Sequence, residues 1–175
     1  MSKNYLIGMY GYPGSGKTHF AERLCLENNW FHLASDRLRR KIFKPPQYTD
    51  EERVTLFDFA DYLAEEFVSK EVSVVYDANF NFKKDRDKLK KIAKKRGATY
   101  KIVWIKTDEK QALKRLKDRY KKADSKSKDI YRPIDEAIFY DLKSEMEVLT
   151  SNEAVIIIDG TLSFKKQLAE FNKQI

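Results

Sequence analysis

The sequence predicts a three-layer α/β fold in which a five-stranded parallel sheet carries helices on both faces. Three observations support that expectation. Short apolar runs alternate with helical stretches almost throughout, the pattern of parallel strands joined by crossover helices. The segment Gly11-Tyr12-Pro13-Gly14-Ser15-Gly16-Lys17-Thr18 fits G-x-x-x-x-G-K-[ST] at every fixed position, between an apolar run and a helical stretch. A length of 175 residues suits one domain, expected over 1–175, that buries about 70% of the surface its unfolded chain exposes.

Taken in order, Tyr5 to Tyr10 reads as a buried strand and Lys17 to Leu24 opens a helix. Trp30-Phe31-His32-Leu33-Ala34 is a short second strand, after which Ser35 can cap a helix over Asp36 to Phe43. Pro45-Pro46 stops that helix. Asp50 begins a longer one, in which Leu56, Ala60, Leu63 and Phe67 recur at helical spacing. Val72 to Tyr76 is the third strand, and a very basic helix follows from about Lys83 to Arg96, with Gly97 as its stop. Tyr100 to Ile105 is the fourth strand, and Asp108 can cap a helix through about Tyr120. The polar, lysine-rich stretch from Lys121 to Tyr131 lacks apolar periodicity and reads as a small lid over about 120–132. Pro133 suits the first turn of a helix with Ile138, Leu142 and Leu149 on one side. Val155 to Ile158 is the fifth strand, and a last helix runs from Phe164 to Asn172.

One cysteine, Cys25, excludes an internal disulfide framework; lying between Leu24 and Leu26, it reads as core. No apolar run is long enough to span a bilayer and the first residues do not read as a signal peptide, so a cytoplasmic location without a membrane partner is expected. The net charge of +8 is uneven. Residues 83–132 hold 21 of the 35 Lys and Arg but 7 of the 27 Asp and Glu, a net of +14 against −6 for the remainder. Two readings are open: an anionic partner larger than a nucleotide, nucleic acid foremost, or Lys90, Lys91, Lys94 and Lys95 forming the solvated face of a helix. Nothing in the sequence sets an oligomeric state.

The chemistry concentrates in four places. Gly11, Pro13, Gly14, Ser15 and Gly16 are expected to wrap the phosphates of ATP, the loop turning its amides inward at a helix N-terminus. Lys17 can reach the β- and γ-phosphates, and the Thr18 hydroxyl can ligate Mg²⁺. The plain alternative is a glycine-rich turn before an ordinary helix. Next, Asp36 follows the second strand, where strand carboxyl ends line a crevice. It can take a proton from an attacking hydroxyl, and Arg39, one turn on, can meet an anionic group of the acceptor. Otherwise Asp36 caps a helix and the arginines face solvent. Third, Val74-Val75-Tyr76-Asp77-Ala78-Asn79 is an apolar strand ending in an acid, which makes Asp77 the metal candidate and Asn79 a substrate contact. Asp159 ends a similar run, but with Gly160 and Thr161 it suits a nucleobase or a simple turn. Fourth, Arg115 and Arg119 lie four residues apart on one helix. An arginine closing on a transferring phosphoryl group is worth about 10³–10⁵ in rate, and Lys121, Lys122, Lys126, Lys128 and Arg132 would belong to the lid that excludes water. The alternative is one more charged helix face. Neither His19 nor His32 reads as a metal ligand or base.

Together these elements resemble the P-loop kinases related to the bacteriophage polynucleotide 5′-kinase, a group close to the zeta-toxin kinases. Gly11 to Thr18 is similar to that group's G-x-P-G-S-G-K-[ST] loop, Asp36 and Arg39 to its D-x-x-R element, and Arg115 and Arg119 to its R-x-x-x-R helix. Asp77-Ala78-Asn79 is similar to its D-T-N element, with Ala78 in place of threonine. The resemblance implies a P-loop NTPase fold with the adenylate-kinase-like strand order 2-3-1-4-5 and a small lid. It also implies Asp36 as general base, Arg39 on an acceptor phosphate, Arg115 on the nucleotide side, and Arg119 on the donor phosphates and transition state.

The function expected from these readings is ATP–Mg²⁺-dependent phosphotransfer to a hydroxyl, foremost a polynucleotide 5′ end. The nearest alternative is a small metabolite such as a nucleotide sugar. A third, from another class, is a nucleotide-gated module that binds tRNA or a protein and phosphorylates nothing.

Overall fold

The computed structural model describes residues 4–122 and 134–175. Its sheet is formed by β1 (Tyr5–Tyr10), β2 (Phe31–Ala34), β3 (Val74–Asp77), β4 (Thr99–Lys106) and β5 (Val155–Asp159). The strands lie in the order β2-β3-β1-β4-β5, every neighbouring pair parallel. The helices are α1 (Lys17–Asn28), α2 (Ser35–Ile42), α3 (Asp50–Ser69), α4 (Lys83–Lys95), α5 (Glu109–Lys122), α6 (Glu136–Ser144) and α7 (Phe164–Asn172). The expected fold class and strand order are therefore the observed ones.

Two apolar cores explain the layers. Successive residues of a strand point to opposite faces. Ile7, Met9, Val75, Val103 and Ile156 pack with Phe20, Leu24 and Cys25 of α1 and Phe171 of α7. Leu6, Val74 and Tyr76 point the other way, toward Ala60, Ala64 and Val68 of α3 and Leu89, Ile92 and Ala93 of α4. A smaller cluster joins α5 to α6 through Ala112, Leu116 and Phe139. Cys25 is buried as expected, and burial pushes its thiol up to about 12. Among the described residues no helix is long and apolar enough to cross a membrane.

Three local expectations need correction. Ser35 is the first residue of α2 rather than its cap; its hydroxyl donates to the Asp77 carbonyl (3.1 Å) and ties the ends of β2 and β3 together. The helix carrying Ile138 and Leu142 ends at Ser144 and does not reach Leu149. There the Glu147 amide donates to the Asn81 carbonyl and Arg86 donates to the Val148 carbonyl, so tertiary bonds replace helical ones. Its cap is Asp135, which accepts from the Ile138 amide. Pro133 and the lid residues Lys126, Lys128 and Arg132 lie outside the described residues; Lys121 and Lys122 belong to α5.

Candidate functional site

The glycine-rich loop joins the end of β1 to α1. Gly14 adopts φ 78°, and a Cβ there would stand 2.4 Å from the Ala112 carbonyl oxygen, so only glycine lets α5 approach. The loop is braced from behind. The Ser15 carbonyl accepts from Thr107 Oγ1 (2.9 Å) and Arg115 Nη1 (3.0 Å), while Arg115 Nη2 reaches the Gly160 carbonyl (2.9 Å). Gly160 lies close enough to Thr107 that a Cβ would fall 1.9 Å from its Oγ1. Lys17 bends over the loop, its Nζ donating to the Gly11 (2.8 Å) and Tyr12 (3.0 Å) carbonyls. Burial draws the ammonium down to about 8, while Asp77 and Asp36 favour its charge and Arg119 opposes it.

In front of the loop lies a cavity of about 270 Å³. It brings together Pro13, Gly14, Lys17 and Thr18 of the loop and α1 start, Asp36 and Arg39 of α2, and Asp77 and Asn79 at the end of β3. Arg119 of α5, Tyr48, and Ile134, Ile138 and Leu142 from the α6 region also line it. Gly11, Ser15, Gly16 and Arg115 do not line it. Arg115 instead joins the loop to the β5–α7 turn. Asp159 closes that turn on itself, its carboxylate accepting from the Thr161 amide and hydroxyl.

The two acids of the cavity are differently placed. Asp36 stands in the first turn of α2, reached by solvent through the cleft yet crowded by protein. That crowding, the largest influence, lifts its carboxyl above the usual range; Asp77 adds to the lift, and Lys17, Arg39 and Arg40 oppose it. Asp77 is buried, and His32 Nε2 lies 3.3 Å from its Oδ2. The register pairs His32 with Val75 and Ala34 with Asp77, so strand parity places His32 and Asp77 on one face of the sheet. That strand parity is the signal the sequence holds for His32, which belongs to no motif. Arg39 is held by Glu52 (Nη1 to Oε2, 2.9 Å), and its Cζ lies 5.1 Å from the centre of the Tyr48 ring. Glu52 and Tyr48 belong to no motif of the sequence.

The basic helix α4 does not line this cavity. Facing α3, Lys88 of α4 pairs with Asp58 (3.0 Å) and Asp61 (2.7 Å), and Lys95 with Glu65 (2.6 Å). Arg96 also pairs with Glu65, at 2.7 Å. Lys90, Lys91 and Lys94 are exposed.

Comparison with known proteins agrees with the fold. A sugar kinase structure from Janibacter sp. superposes with a TM-score of 0.70 at 15% identity, covering 99% of this chain and 94% of that one. A gluconokinase from Sinorhizobium meliloti gives 0.67 at 17% identity, covering 95% and 88%. An APS kinase from Mycobacterium tuberculosis, in complex with AMPPNP and APS, gives 0.66 at 18%, covering 99% and 98%. At these identities the likeness is one of fold. No curated protein matches the chain in sequence. A family model described as an AAA domain, AAA_33, does match, over residues 6–148. Spanning the loop, both acids and the arginine-bearing helix, that match means the chain belongs to the AAA_33 family.

Proposed function

We propose that the chain is an ATP-dependent kinase that passes the γ-phosphoryl group to a hydroxyl of a small molecule. The observation that carries this reading is the single cavity shared by Lys17, Thr18, Asp36, Asp77 and Arg119. Lys17 and the loop amides hold the phosphates, and Arg119 meets charge spreading over the transferring group. Asp36 orients the acceptor hydroxyl and takes its proton as the new O–P bond forms and the bond from the γ-phosphorus to the β–γ bridging oxygen breaks, releasing ADP; a carboxyl lifted by crowding is a better base than a free one. Thr18 and Asp77 fit Mg²⁺ by their chemistry. They are two oxygen donors, and among the described residues no group of three or more His, Cys, Asp or Glu builds a protein cage. Mg²⁺ characteristically takes one or two protein oxygens and shares the rest of its shell with phosphates and water. When bound, it neutralises phosphate charge.

A small acceptor is favoured over a polynucleotide end on three grounds. At about 270 Å³ the cavity is close to the lower end of the range of small-molecule sites. No residue of α4 lines it, and α3 neutralises part of that helix. Proteins of the same fold bear the names sugar kinase, gluconokinase and APS kinase. The finer likeness to the polynucleotide 5′-kinase and zeta-toxin group rests on the motif residues, which suit either acceptor.

The test is transfer from γ-labelled ATP with Mg²⁺ to a pool of small metabolites beside 5′-hydroxyl DNA and RNA. Label is expected in a small molecule. Asp36→Asn is expected to slow transfer by about 10²–10⁴ with ATP affinity nearly unchanged. Label confined to oligonucleotides overturns the choice of acceptor; slow hydrolysis with no labelled acceptor overturns the kinase.

A further inference from the structure

We propose that side chains of α7 and the turn after it stand in for a sixth strand along β5, and that they keep this edge of the sheet from pairing with the β5 of a second copy of the chain.

The strand order ends at β5, so among the described residues no strand takes up the backbone groups on its outer side. Successive residues of a strand direct their N–H and C=O groups to opposite sides. The Ala154 carbonyl accepts from the Ile102 amide (2.9 Å), and the Gly160 amide donates to the Lys106 carbonyl (2.8 Å). The even-numbered residues of this stretch therefore face β4, and Val155, Ile157 and Asp159 face away. Such an edge is prone to pairing. Val155-Ile156-Ile157-Ile158 is uncharged, β-branched and free of proline, and the Ile157 side chain is 47% exposed.

Polar side chains meet the outward groups instead. The Gln174 carboxamide takes both groups of Ile157, its Oε1 accepting from the amide (3.3 Å) and its Nε2 donating to the carbonyl (3.1 Å). An antiparallel neighbour offers that same exchange, and a primary amide carries the donor and acceptor of a peptide unit. Further along, Glu170 Oε2 accepts from the Asp159 amide (3.2 Å), and Gln167 Nε2 donates to the Asp159 carbonyl (3.0 Å). The Val155 amide turns back to the Glu153 carbonyl (2.9 Å). Gln174 is itself held, its Nε2 also donating to the Glu170 carbonyl (3.1 Å).

The occupant that fits this edge once uncovered is another β5. Antiparallel pairing about a two-fold axis through Ile157 sets Ile157 opposite its own counterpart and Val155 opposite the counterpart of Asp159. Each outward N–H then meets an outward C=O, and the two exposed isoleucine side chains cover one another.

The experiment measures mass by sedimentation from about 10 µM to 1 mM, for the unchanged chain and for Glu170→Ala combined with Gln174→Ala. The variant is expected to reach about twice the mass of the unchanged chain. Ile157→Cys, treated with a short bis-maleimide, is expected to cross-link in the variant and not with Gln174 and Glu170 in place; Cys25 is buried. Amide exchange at Ile157 in dilute Gln174→Ala is expected to be about threefold to tenfold faster than in the unchanged chain. Gln174→Lys, which removes the carboxamide but sets a charge on the edge, is expected to stay unpaired. An unchanged mass in the double variant overturns the inference, as does doubling without the cross-link or cross-linking of the guarded edge. Association of Gln174→Lys equal to that of the double variant points to a loosened fold and overturns it too, and unchanged exchange at Ile157 removes Gln174 from the role of cover.

Discussion

At the scale of single residues, His32 shows how a side chain without a motif can shape one that has it. Its Nε2 touches the Asp77 carboxylate, while its buried Nδ1 finds no partner among the described residues. If Asp77 holds Mg²⁺ as proposed, a ring that orients its carboxylate affects metal affinity about 10–100-fold. His32→Leu is therefore expected to leave ATP binding in EDTA unchanged and to weaken the tightening that Mg²⁺ brings by about tenfold. Calorimetric ATP titration with and without Mg²⁺ measures it; equal loss in both would assign His32 to the core alone. The contrast with the loop is instructive. Gly14 and Lys17 were legible because phosphate binding demands those residue types at that spacing. His32, Tyr48 and Glu52 were not, because the register of β2 on β3 and the contacts of Arg39 with Glu52 and Tyr48 emerge only once the chain is folded.

At the scale of elements, α5 places two arginines in opposite settings. Arg115 bonds the Ser15 and Gly160 carbonyls behind the loop, whereas Arg119, one turn later, lines the cavity. A guanidinium spans two carbonyls at fixed angles, and an ammonium does not. Arg115→Ala is expected to lower stability by about 2–3 kcal/mol and to weaken ATP binding through the loop, with Arg115→Lys failing to rescue either. Arg119→Ala is expected to leave the melting temperature within about 1 °C while transfer falls by about 10³ or more. Thermal melts beside single-turnover transfer separate the two; a stability loss shared by both variants would contradict the division. The i, i+4 spacing put both arginines on one helix, but not which of them the loop would engage. The same limit explains α6. Periodicity carried the helix on toward Leu149, yet Asn81 and Arg86 supply bonds that end it at Ser144.

At the scale of the whole molecule, the charge asymmetry of the sequence becomes a packed seam. Acids of α3 pair with Lys88, Lys95 and Arg96 at α4, so those three bases of the +14 stretch are neutralised within the fold. Oligonucleotide binding is expected to be non-specific, with Kd about 10⁻⁴–10⁻⁶ M and a steep loss with salt. The combined change Lys90→Glu, Lys91→Glu and Lys94→Glu is expected to abolish it without slowing transfer to a small acceptor, which filter binding and the labelled assay check. A deeper pair governs behaviour in acid. Arg86 is fully buried on α4, and its Nε donates to Glu153 Oε1 (2.5 Å). Its Nη1 reaches the Phe80 and Asn81 carbonyls, so one side chain ties α4, the chain beyond Asp77 and the approach to β5 together. Burial raises the Glu153 carboxyl, but the bonds from Arg86 and Thr150 bring it below the ordinary value. A folded-state pKa below the unfolded one adds stability that is complete above the unfolded value, and that stability drains away as pH falls through the folded one. The melting temperature is thus expected to hold from pH 7 to about 5 and to drop below it. Glu153→Gln is expected to cost about 3–5 kcal/mol at pH 7, because it strands a buried guanidinium, and to flatten the acid limb. Melts from pH 7 to 3 on both proteins decide it: an acid limb equally steep in the variant would place the sensitive carboxylate elsewhere.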